Sequence, residues 1–152
     1  LELLPHGNPP KPEELAACRR WLAEFFSSKI RPQIEPAMRR ETEFSPSTGG
    51  VQLVGTGGTT SILARIEARL DDFDRRRIEG ARVTLERVRW HLDHLWSLRL
   101  ADRERVVGLP SKRADVILMG TAICEAVMEE FQFPELRVST RGLRFAAVMA
   151  PS

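Results

Sequence analysis

LVGTGGTTSILA, residues 53–64, decides how this 152-residue chain is read. An apolar pair runs into a turn holding Gly55, Gly57 and Gly58. Thr59, Thr60 and Ser61 come next, and then apolar residues recur at helical spacing. Strand, glycine turn and helix often hold a phosphate, because glycines let the backbone approach an anion and free N–H groups at a helix start point towards it. Thr56 and Thr59 could add hydroxyl donors. No lysine follows the glycines as a Walker A loop requires, and Thr60 stands where the third glycine of GxGxxG would be. A simple packing turn accounts for the same residues. On this stretch alone the two readings stand level.

Working outward, residues 51–54 read as a short buried strand, and residues 59–70 as a helix with Ile62, Leu63, Ile66 and Leu70 inward. Upstream, Pro12 suits a first helical position, and Leu15, Cys18, Leu22, Phe25 and Phe26 recur at helical spacing. Pro32 and Pro36 are expected to interrupt or kink the chain beyond this helix, and residues 42–50 to form a loop. Downstream, residues 71–83 read mostly as loop, Thr84 as the N-cap of a helix over 85–98, and 101–106 as a short helix. Residues 112–131 form the most apolar helix, expected to be buried on more than one side, with Val116 and Ile123 inward. A second strand over 136–139 and a terminal helix over 142–149 complete the pattern. The fold class is a helix-rich α/β domain with few strands. Two strands separated by helices predict a parallel sheet, and two strands alone make a poor one. Further strands are therefore expected from sequence upstream of Leu1.

Composition narrows the function. A net charge of +2 argues against a nucleic-acid patch or a polybasic membrane anchor. All but three of the 23 basic residues are arginine, the exceptions being Lys11, Lys29 and Lys112, and arginine suits bidentate phosphate contacts. No apolar run approaches the roughly 20 residues of a membrane span, and no signal peptide is visible. Cys18 and Cys124 stand far apart with no CxxC, which fits a reducing, cytoplasmic setting.

Several stretches in order carry a resemblance. LVGTGGTTSILA, FDRRRIEG, GLPSKRADVILMG and VSTRGLRFA strongly resemble the second domain of the Ppx/GppA phosphatase family, over nearly the whole chain. The resemblance implies one of two ribonuclease-H-like domains of the actin, hexokinase and heat-shock ATPase superfamily, facing each other across a phosphate-binding cleft. It implies a C-terminal portion of an exopolyphosphatase or guanosine pentaphosphate phosphohydrolase. Gly55, Thr56, Gly57, Gly58 and Thr59 would border the cleft, and Arg113 and Arg144 would contact phosphate. Magnesium is implied as cofactor, with no ligands for it in this chain. The family's upstream DxGSN loop, general-base glutamate and DIGGGS loop have no match here. No catalytic residue is therefore assigned, the missing N-terminal domain is an expected partner, and the isolated chain is expected to be inactive. Phe145 and Ala146 replace the Glu-Gly that usually follows GLR, which puts any role of that glutamate in doubt. The alternative is a non-catalytic module that binds polyphosphate or guanosine pentaphosphate, or forms a homodimer.

Other candidates carry blander readings. His91 and His94 are spaced to chelate a metal, but no third ligand stands nearby, so a partly exposed helix face is the expectation. Asp71, Asp72 and Asp74 lack the pattern of a calcium loop and read as a solvated helix end. Cys18 and Cys124 read as core. Trp21, Trp90 and Trp96 read as core or interface, and exposure of Trp21 or Trp90 would point to a partner domain.

Overall fold

The computed structural model describes residues 5–44 and 50–142. The terminal helix expected over 142–149, together with Arg144, Phe145 and Ala146, lies outside these apart from Gly142, as do residues 45–49. Helix α1 (Pro12–Phe25) starts as expected, with Pro12 in its first turn and Glu14 accepting from the Lys11 N–H at 2.6 Å. It does not stop at the prolines. A π-turn over Phe26–Ile30 carries the chain into α2 (Arg31–Phe44), which contains both Pro32 and Pro36. The wider turn directly before Pro32 accommodates a residue with no N–H to give, so the interruption expected at the prolines takes the form of a π-turn within a continuing helix. It also takes up residues 42–44 of the expected loop.

Strand β1 (Val54–Thr56) leads into α3 (Gly58–Glu67), followed by α4 (Arg75–Ile78) and β2 (Arg82–Thr84). Helix α5 (Leu85–Ser97) is capped by Thr84, whose hydroxyl accepts from the Arg87 N–H at 3.3 Å. The short α6 (Leu100–Arg103), a 3₁₀ turn (Ser111–Arg113), α7 (Ile117–Glu130) and β3 (Glu135–Ser139) complete the described order.

The sheet corrects the sequence reading. Its order is β1-β3-β2, with β1 parallel and β2 antiparallel to β3, so it is mixed and has a third strand. Strand β2 was hidden within the expected loop because only Val83 of its three residues points inward. The first strand lies later than expected and is not buried, since Val51 and Val54 are both exposed. As an edge strand, β1 has a neighbour on one side only.

Helix α7 sits at the centre. One cluster packs it against α1 and α5 through Cys18, Leu22, Leu92, Trp96 and Leu118. A second fills the space between sheet and helices with Ile78, Val83, Val88, Met128 and Val138. Helix α7 is thus buried on more than one side, as its composition implies, but Ile123 is 43% exposed and Val116, its N-cap, 50%. Its one deeply buried carboxylate, Glu125, is held by Arg19 of α1 in a two-pronged pair at 2.8 and 2.7 Å. Trp96 is core, with its ring N–H donating to the Lys11 carbonyl at 3.0 Å, whereas Trp21 and Trp90 remain half exposed. No described helix is long and apolar enough to cross a membrane.

Candidate functional site

Gly57 is the N-cap of α3 and has φ +101°, a region that glycine enters without steric cost. The chain therefore bends sharply out of β1 and starts the helix at once. The first intrahelical bond in this turn is Ser61 N–H to the Gly57 carbonyl at 3.2 Å, so the N–H groups before it have no partner within the helix. Gly57, Gly58 and Ser61 of this turn line a groove of about 1060 Å³.

The opposite wall is the loop before α7. Gly108, with φ +90°, lies so close to the α3 backbone that a Cβ there would meet the Arg65 carbonyl carbon at 2.6 Å. The loop then turns at Pro110, whose carbonyl accepts from Arg113 N–H at 2.8 Å, and presents Lys112 and Arg113 to the groove. Arg103 fixes this loop from behind. It is buried, and donates to the carbonyls of Ala114 and Leu98 at 3.0 Å each. Burial lowers its pKa from the usual arginine value, and the nearby Asp115 carboxylate offsets this only in part.

The third side comes from α4 and the end of β3. Asp74 caps α4, accepting from Arg76 N–H at 2.9 Å, and the next residue, Arg75, reaches the groove. Its Nε donates to the Thr140 hydroxyl at 3.0 Å. The groove thus gathers Arg65, Arg75, Lys112 and Arg113 around a helix N-terminus, beside an apolar strip of Ile62, Phe73 and Pro110. Among the described residues that line it there is no carboxylate, histidine or cysteine.

Of the residues picked out from sequence, Thr56, Gly57, Gly58 and Arg113 line this groove together. Gly55 and Thr59 do not. A Cβ on Gly55 would meet Thr60 Cγ2 at 2.5 Å, and Thr59 packs its side chain against Gly120 of α7. These two hold strand, helix and α7 close together. Arg65, Arg75, Lys112 and Thr140 were missed. Arg75 lies in FDRRRIEG and Thr140 in VSTRGLRFA, but neither stretch has a spacing that reveals which side chain turns inward.

The remaining candidates are structural in character. His91 is not on an exposed face: it is 1% exposed, and its Nε2 bonds to Glu67. Burial lowers its pKa below the usual 6.5. Burial acts to raise Glu67, but hydrogen bonds from Arg87 and His91 outweigh it and hold the carboxyl low. His94 stacks on Trp90. Among the described residues no cluster of His, Cys, Asp or Glu could hold a metal. Magnesium takes oxygen ligands, carboxylates foremost, and a groove lined by four cations does not fit it. The Cys124 thiol is pushed up to about 11 by burial, so it is protonated and unreactive at neutral pH.

The sequence profile of the Ppx/GppA phosphatase family matches residues 2–149. The chain belongs to that family. Solved structures similar to this Ppx/GppA chain include two of an Aquifex aeolicus Ppx/GppA protein. At 24% identity they cover 97% of this chain and 44% of their own, with TM-scores of 0.77 and 0.75. An exopolyphosphatase from Cytophaga hutchinsonii is 18% identical over 88% of this chain and 40% of its own, with a TM-score of 0.58. At these identities the likeness shows the fold, a helix-rich actin-like domain. This Ppx/GppA chain spans less than half the length of those structures. No match was found among curated proteins.

Proposed function

We propose that this chain forms one wall of a phosphohydrolase cleft and holds the phosphate chain of polyphosphate or guanosine pentaphosphate there. The observation that carries this reading is the lining of the groove: four cations and a helix N-terminus, with no carboxylate, histidine or cysteine among the described residues that line it. The α3 N-terminus contributes about 0.3–1 kcal/mol towards an anion, and each charge-assisted hydrogen bond about 1.5–3 kcal/mol. Such a site binds and orients. Phosphoryl transfer depends mostly on positioning and charge stabilisation, and it also needs a residue that orients or deprotonates water. In this reading that glutamate and the magnesium ligands belong to the rest of a family-length enzyme, and the cytoplasm is its compartment.

Calorimetric titration of the chain with inorganic tripolyphosphate, alongside a phosphate-release assay on long-chain polyphosphate, tests the proposal. Binding without release is expected, weakened about tenfold by Arg113→Ala, which corresponds to about 1.4 kcal/mol. Phosphate release by this chain alone would contradict the assignment of catalysis elsewhere. The same lining equally favours a second reading, a non-catalytic phosphate-binding module. Binding without turnover in a chain of full family length would favour that one.

A further inference from the structure

Glu79 follows α4 and does not line the groove, yet its carboxylate is fully engaged with the end of β3. Ser139 Oγ donates to Oε1 at 3.0 Å, Thr140 N–H donates to Oε2 at 2.7 Å, and the Thr140 hydroxyl donates to Oε2 as well. An ionised carboxylate can only accept, so the single hydroxyl proton of Thr140 is committed to Glu79. That leaves the hydroxyl's lone pairs to accept from elsewhere, and Arg75 Nε donates to the same oxygen at 3.0 Å. Arg75 and Thr140 both line the groove.

We infer that Glu79 is a positioning residue: by fixing the direction of the Thr140 hydroxyl, it orients Arg75 as a further anion-contacting cation. This rests on the reading of the groove as a phosphate holder. The rival explanation is that Glu79 only ties α4 to the sheet. That tie is already made by the backbone, through Gly80 N–H to the Val138 carbonyl at 2.8 Å, and does not call for a carboxylate. Replacing Glu79 with an amide removes the charge and one of the two acceptor oxygens, so the hydroxyl proton is held less firmly and the bond that Arg75 gives to the same oxygen is weakened.

The test is calorimetric titration of the 152-residue chain with inorganic tripolyphosphate, with a thermal melt of every variant. Arg75→Ala, Glu79→Gln and Thr140→Val are each expected to weaken binding about tenfold, the scale of one hydrogen bond to a charged group. Thr140→Ser keeps the hydroxyl and is expected to bind like the parent. In the Arg75→Ala background, Glu79→Gln is expected to cost nothing more. The inference is overturned if Glu79→Gln weakens binding equally with and without Arg75, or if Thr140→Val and Thr140→Ser behave alike. The second comparison decides the matter even where Glu79→Gln fails to fold. Unchanged binding in Arg75→Ala, with Arg113→Ala still impaired, overturns this inference and leaves the groove reading standing. A parent chain that binds no tripolyphosphate overturns both.

Discussion

Gly55, Gly57 and Gly58 lie within four residues, yet a side chain would meet different surroundings at each. A Cβ on Gly55 would press on Thr60 and on Leu136 Cδ1 at 2.8 Å, whereas one on Gly58 meets open space. Gly55→Ala is expected to destabilise the chain by about 1–3 kcal/mol through overpacking. Gly58→Ala is expected to stay within about 0.5 kcal/mol of the parent, and denaturant titrations check both. Gly57 falls between them, with space for a methyl but a φ that L-residues disfavour. The level choice between phosphate turn and packing turn therefore dissolves at single-residue scale: Gly55 packs, while Gly57 and Gly58 open onto the groove. His91 gives a pH prediction. Its pKa lies below 6.5 in the folded chain, so the unfolded chain binds more protons as the solution is acidified. Its contribution is whole above pH 6.5 and declines as the pH falls through 6.5 towards the folded value. Stability measured at pH 7 and pH 5.5 should fall less in His91→Gln than in the parent.

Among the elements, helices were legible where one face is apolar and long. The starts of α1 and α5 stood in the sequence as Pro12 and Thr84, each with a physical capping role. Of the strands, β3 (Glu135–Ser139) was legible to within one residue of the expected 136–139, whereas β2 is three residues long and buries one, and the exposed Val51 and Val54 look in sequence like residues of a buried strand. The apolar content of α7 concealed how it is held. Glu125 is 2% exposed and its partner Arg19 36%, a pair separated by more than a hundred residues that no local pattern reveals. Arg19→Ala leaves the buried carboxylate unpaired. A loss of about 2 kcal/mol is expected in denaturant unfolding, below the 3–5 of wholly buried pairs because Arg19 is partly solvated. Replacing Arg19 and Glu125 together by apolar residues should recover most of it. The groove was legible at two of its sides, the turn before α3 and the loop with Arg113. The side built from α4 and the end of β3 was not, since Arg75 and Thr140 meet only through the sheet.

As a whole molecule, this Ppx/GppA chain has an actin-like fold and a cationic groove with no carboxylate, histidine or cysteine among the described residues that line it, and it spans less than half the length of the solved structures it resembles. On the proposed reading it is the holding half of a phosphohydrolase. Exposed cations hold anions less well as salt rises, so tripolyphosphate affinity should fall steadily between low and physiological ionic strength. At 17.2 kDa the chain suits the most direct test, an NMR titration of its backbone amides with inorganic tripolyphosphate. The amides of Gly57 and Gly58 are expected to shift first and furthest, with those of Lys112 and Arg113 next. Shifts confined to other surfaces, or none at concentrations where binding is measured, would contradict that reading.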